Sequence, residues 1–246
     1  MTDYTPKNPD PWEDHAGWWQ EQFTDGADPE YVEQILPLIR DNLLGSGTVV
    51  DIGCGEGQVA RLAADAGLGV IGIDPAHTQV AEAFRRGGSP RYIQGSAVDL
   101  PIATASADMA VACLVFEHIP DVDAALDEVA RILRPGGRFL FLLNHPLLQT
   151  PDSGWIDDQM IDPPELYWRV GPYLDECDTV EEVEKGVFIR FYHRPLGRYL
   201  NSAIRAGLQL ELMIEPAPPP GFLGRTPEYS QVEAIPRLLF LSFRRA

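Results

Sequence analysis

Residues 48–61, TVVDIGCGEGQVAR, constrain what this chain can fold into more than any other stretch. Thr48, Val49 and Val50 are β-branched, which suits a buried position on a pleated strand, and the run stops at Asp51. Gly53, Gly55 and Gly57 follow at alternate positions, and Val59, Ala60, Leu62 and Ala63 then carry a helical spacing. The pattern predicts a strand, a glycine turn and a helix, which together form a ligand crevice at the carboxyl edge of an open α/β sheet. Glycine accepts φ > 0 and lets a ligand lie against the backbone. The start of the helix offers unpaired N–H groups.

The ligand is constrained as well. A dinucleotide fingerprint is G-x-G-x-x-G, with pyrophosphate on the helix N-terminus. Here Gln58 stands where that fingerprint needs its last glycine, and the carboxylate of Asp51 precedes the turn, where it disfavours phosphate. A carboxylate suits a cationic or amino-bearing ligand. VVDIGCGEGQ resembles the first motif of the class I S-adenosylmethionine-dependent methyltransferases. VARILRPGGRFLF, at 129–141, also resembles that family, as do FEHIP at 116–120 and, more loosely, residues 192–216. The resemblance implies a Rossmann-like α/β fold: a seven-stranded, mostly parallel sheet with an antiparallel C-terminal hairpin and helices on both faces. It implies S-adenosylmethionine as cofactor, held by Asp51, Gly53, Cys54, Gly55, Asp74, Pro75, Ser96, Ala97 and Leu114. Asp74 ends the second strand, about twenty residues past the first glycine, where an acid accepts both ribose hydroxyls; its structural alternative is a helix N-cap. Ser96 stands where family members often carry an aspartate for the adenine amino group, so that contact loses its charge here.

Other elements follow from periodicity. Residues 30–44 have a helical spacing, with Asp28 as cap and Pro29 in the first turn, and 58–66 and 75–86 are further helices. Strands are expected at 69–73, 92–93, 108–115 and 138–143, with an amphipathic helix at 121–133. A helix at 196–206 precedes strands at 208–214 and 235–244, and 225–234 forms a polar loop. Residues 1–14 are irregular; 16–23 form an aromatic helix, either over the crevice or as a plain cover for the sheet. Residues 144–195 insert after the fifth strand, with a hairpin at 178–184 and 187–192, and form a substrate cap or a homodimer contact. A chain of 246 residues fits one domain, 1–246, containing this insertion.

Composition narrows the partners. Nineteen basic against 37 acidic side chains give a net charge of −18, which repels a phosphate backbone and argues against nucleic acid. No long apolar run or N-terminal leader is visible, so a cytoplasmic protein without a membrane partner is expected. Cys54, Cys113 and Cys177 are too few and too scattered for a zinc or disulfide pattern, and no metal is expected.

Methyl transfer needs alignment, exclusion of water and, for a hydroxyl or protonated amine, a base. Histidine can serve near neutral pH. His145, after the fifth strand, ranks first, followed by His118 after the fourth strand and His193 in the insertion. The sequence therefore predicts methylation of an oxygen or nitrogen of a small-molecule acceptor. The rivals are a non-catalytic S-adenosylmethionine-binding sensor or partner subunit, and an NAD-dependent oxidoreductase.

Overall fold

Strand β1 (Thr48–Ile52) lies inside a seven-stranded sheet, and its four residues from Val49 on are buried. The computed structural model describes residues 11–226, 229 and 233–246. In chain order, α1 (Pro11–Phe23) and a π-helical turn (Tyr31–Ile35) leading into α2 (Leu36–Asn42) precede β1. Then come α3 (Gln58–Asp65), β2 (Gly69–Asp74), α4 (His77–Arg86), β3 (Arg91–Gln94) and β4 (Ala107–Cys113). A 3₁₀ turn (Phe116–His118), α5 (Val122–Ile132) and β5 (Leu133–Asn144) follow. The hairpins β6 (Gly154–Asp158) with β7 (Glu165–Arg169) and β8 (Cys177–Glu184) with β9 (Val187–His193) come next. The chain closes with α6 (Leu196–Arg205), β10 (Leu208–Ile214), α7 (Pro220–Arg225) and β11 (Leu238–Arg245).

The sheet order is β10-β11-β5-β4-β1-β2-β3. The first five strands of the chain are parallel, and β11 runs antiparallel between β5 and β10. The expected Rossmann-like architecture is therefore the observed one, and the last strand inserts inside its hairpin partner rather than forming the rim. Helices cover both faces. Val122, Leu126 and Val129 of α5 and Tyr199 of α6 pack with Phe139, Phe141 and Phe243 on one side. Ile35, Ile39, Val59, Ala63 and Val80 pack with Val49, Met109 and Leu140 on the other. With helices on both sides, the central strands need apolar residues on both faces, which is why they read as continuous apolar runs.

Several boundaries differ from the sequence reading. Helix α1 begins at Pro11, not at 16, because proline presets a first-turn φ and Glu13 and Asp14 complement the helix N-terminus. The rest of the stretch read as irregular, 1–10, lies outside the described residues. Strand β4 stops at Cys113 because Leu114 turns to φ +57, its N–H bonded to Leu142 O at 2.8 Å. Strand β5 starts at Leu133, which pairs with Ala107 before a register shift at the two glycines; Gly136 has φ +79. The β6–β7 hairpin and α7 were not anticipated, and β11 begins at Leu238. Of the expected loop 225–234, residues 227, 228 and 230–232 lie outside the described residues.

Candidate active site

The glycine turn is stapled to the neighbouring strand: Gly53 N–H and Cys54 N–H both donate to Ile73 O, at 2.7 and 3.0 Å. Gly53 has φ +69, and a Cβ there would run into the side chain of Val115. No other residue satisfies both conditions. Gly57, also left-handed at φ +87, caps the start of α3. Asp74 then ties the turn to its own strand end, accepting from Gly55 N–H through Oδ2 and from Ala76 N–H through Oδ1, each at 2.9 Å. A carboxylate oxygen can accept more than one hydrogen bond, so these backbone contacts orient Asp74 without exhausting its capacity.

Asp51 lies buried beside it. It takes a backbone hydrogen bond from Ala60, while its Oδ2 has no protein partner. Burial first, and the charge of Asp74 second, push its carboxyl up to about 7. Two carboxylates in one corner, one with an unsatisfied oxygen, call for a cationic or N–H-bearing ligand. Glu56 is also at the cavity wall but is neutralised by Arg61 and Arg86. Ser96 closes a tight turn, its hydroxyl accepting from Val98 N–H at 3.4 Å.

The structure brings all nine residues predicted for the donor site to the wall of one cavity of about 550 Å³. Its other half is built from distant pieces. Trp12 and Trp19 of α1, Tyr31, the segment from His118 to Pro120, and Arg190 and Tyr192 of β9 complete the wall. Helix α1 is tied down on both sides. Glu13 accepts from Thr78 N–H and its hydroxyl, Gln20 donates to Gln79 at 2.9 Å, and Trp18 Nε1–H donates to Glu184 at 2.6 Å. The aromatic helix thus lies over the crevice.

Of the three candidate histidines, only His118 reaches the cavity. A carbonyl can only accept, so the 2.8 Å contact between His118 Nδ1 and Arg190 O places the proton on Nδ1 and leaves Nε2 as the basic nitrogen. Its ring packs 4.8 Å from Trp12 and 4.8 Å from Phe191, and burial pulls its pKa down to about 4. His145, ranked first from sequence, is buried elsewhere: Nε2 contacts Glu215 at 2.9 Å and Nδ1 accepts from Leu147 N–H at 3.1 Å. His193 is also buried, donating through Nε2 to Tyr173 O at 2.9 Å. Neither His145 nor His193 lines the cavity, because the chain turns each ring into packing behind its strand end. Trp12, Tyr31, Arg190 and Tyr192 were missed. The seven-residue spacing of Trp12 and Trp19, which sets them on one helix face, was a usable signal for the first.

The parallel sheet, the glycine turn and the acidic corner resemble those of the class I S-adenosylmethionine-dependent methyltransferases. Residues 50–141 match the family described as a methyltransferase domain. The chain is 32% identical to an O-methyltransferase of Aspergillus sclerotiorum over 133 residues, 50% of each chain. It is 40% identical over 92 residues to a probable S-adenosylmethionine-dependent methyltransferase of Mycolicibacterium smegmatis, covering 37% of this chain and 36% of that one. It thus spans about half, or less, of the length of these curated relatives. A solved S-adenosylmethionine-dependent methyltransferase from Mesorhizobium loti superposes with a TM-score of 0.73 at 29% identity, covering 85% of this chain and 96% of that one. The cofactor of such a domain is S-adenosylmethionine. The residues present fit it: the unsatisfied Asp51 Oδ2 offers an acceptor to a cationic ligand, and the turn at Gly53 leaves no room for a side chain.

Proposed function

We propose that this protein transfers a methyl group from S-adenosylmethionine to an oxygen or nitrogen of a small molecule, with His118 as the general base. The observation that carries this reading is the shared cavity, in which the donor-site residues and His118 line one space. Asp51 and Asp74 would hold the cationic and hydroxyl-bearing parts of the donor, while the backbone at Gly53 and Gly55 fits close against it. Ser96 and Ala97 would meet the adenine edge. When bound, S-adenosylmethionine supplies a methyl group on a sulfonium, which departs as a neutral thioether.

The chain's own residues supply the rest. With its pKa near 4, His118 is neutral at physiological pH, and its Nε2 takes the proton from an acceptor O–H or N–H. The Arg190 carbonyl holds the ring in the tautomer this requires. Trp12, Trp19 and Tyr192 exclude water from the reacting atoms. We assign residues 144–195 as the cap on the acceptor side, since β9 within them contributes Arg190 and Tyr192. Oxygen is the favoured target atom, as in the Aspergillus relative. Among the described residues no helix is long and apolar enough to cross a membrane.

Calorimetry with S-adenosylhomocysteine and with NAD tests the reading. Binding of S-adenosylhomocysteine alone supports it, and binding of NAD alone overturns it. Donor binding without methyl transfer to any O–H or N–H compound would instead mark a sensor.

A further inference from the structure

Arg194 follows β9 and is buried, yet none of the ion pairs among the described residues includes it. A buried guanidinium needs hydrogen-bond partners, and here three backbone oxygens take bonds from it. Arg194 donates to Phe116 O at 3.3 Å, Ile119 O at 2.7 Å and Pro120 O at 2.8 Å. Its charge also faces the rings of Tyr192 at 5.4 Å and Tyr199 at 5.9 Å. These carbonyls flank His118, and Ile119 and Pro120 line the cavity beside it. A one-turn 3₁₀ segment has few internal hydrogen bonds; here His118 N–H bonds to Val115 O and Ile119 N–H to Phe116 O. Left to itself such a turn frays.

The same strand grips this segment twice. Arg190, inside β9, accepts the Nδ1–H of the His118 ring through its carbonyl, and Arg194, just past the strand's end, holds the backbone on either side of that residue. A third tie comes from β5, where Asn144 donates its N–H and Nδ2 to Glu117 Oε1 at 3.2 and 2.9 Å. The ring direction of His118 is thus set by how β9 sits against residues 116–120.

We infer that Arg194 is a positioning residue: by clamping the carbonyls of Phe116, Ile119 and Pro120 it holds His118 with Nδ1 on the Arg190 carbonyl and Nε2 at the cavity. This rests on the assignment of His118 as the base. It adds a requirement for a guanidinium fork at position 194, since an ammonium is a point donor that cannot span three diverging carbonyls.

The test uses the full chain with ¹⁵N-labelled histidine, as the unaltered protein, Arg194→Lys and Arg194→Met. Ring-nitrogen shifts report the tautomer of each histidine, and calorimetry with S-adenosylhomocysteine reports the donor half. In Arg194→Met, His118 is expected to leave the pure Nδ1–H form for a mixture of tautomers while His145 keeps its signals. Arg194→Lys should fall between Arg194→Met and the unaltered protein. Affinity for S-adenosylhomocysteine should stay within about twofold, as for sites without shared partners. A folded Arg194→Met with His118 unchanged overturns the inference. So does a parallel change at His145, which would mean general loosening, and so does failure of both variants to fold, which would make Arg194 a residue of the fold as a whole. Failure of the unaltered protein to bind S-adenosylhomocysteine would count against the proposed function and leave the tautomer result to judge the clamp separately.

Discussion

The two halves of the cavity are built in opposite ways. In the half proposed for the donor the defining bond, Gly55 to Asp74, joins residues 19 apart. Its shape follows from strand ends that are neighbours in the sheet. In the half proposed for the acceptor, His118 meets Arg190 across 72 residues, Trp18 meets Glu184 across 166 and Phe188 meets His15 across 173. The first half is a local backbone device, and the second is a convergence of a helix, a turn and a hairpin from three parts of the chain. The contrast teaches that the donor half should fail together with the fold, whereas the acceptor half should lose turnover and leave the fold and donor affinity intact.

The largest expected effect is in the donor half. Gly53→Val places a β-branched side chain at φ +69 against Val115. It should cost about 2–6 kcal/mol of stability from strain and overpacking together. Binding of S-adenosylhomocysteine should disappear, as followed by calorimetry and a thermal melt. A stable Gly53→Val that still binds would break the contrast at its strongest point.

Next is His118→Ala, which should lower kcat by about 10²–10⁴ with donor affinity unchanged, the loss typical of a missing general base. An equal loss of donor affinity would show the halves to be coupled. Asp74→Ala should then weaken donor binding by about 1–3 kcal/mol through unpaired donors. Because Asp74 also holds Gly55 and Ala76, the melting temperature should fall with it.

The smallest effect is a pH slope. The carboxyl of Asp51 titrates near 7 in the folded chain and at about 4 when unfolded. Between those values the native state binds the extra proton, so this group makes stability fall as pH rises from about 4 to 7, with no further change above. Glu117, also raised to about 7 by burial, acts in the same direction. His118 acts oppositely: its depressed pKa contributes stability that is lost as pH falls from about 6.5 to 4. The difference between the unaltered protein and Asp51→Asn isolates the first contribution. Denaturant melts across pH 4–8 should show the downward slope reduced in Asp51→Asn, and affinity for the sulfonium donor should rise through pH 7 only in the unaltered protein. Parallel stability curves would remove Asp51 from the account of the acidic corner.

Legibility in the sequence follows the same division. Gly53, Asp51 and Asp74 were readable because positive φ, a strand end and an acid at a fixed distance are requirements that a short stretch of chain states by itself. The choice among His145, His118 and His193 was not readable. All three follow a strand or lie at its end, and what separates them is which ring is consumed by Glu215, by Leu147 or by the Tyr173 carbonyl.

By itself, then, the sequence determined the order of the strands and helices that build the main sheet, the glycine turn and the acidic corner, since period-2 and helical patterning and backbone sterics act over a few residues. Only the tertiary structure decided that β11 slots between β5 and β10, that α1 roofs the crevice, and that His118 alone of the three histidines meets the cavity. Those outcomes depend on packing between segments far apart in the chain, as in the 72-residue span from His118 to Arg190, and no local pattern encodes which distant partner a side chain will find.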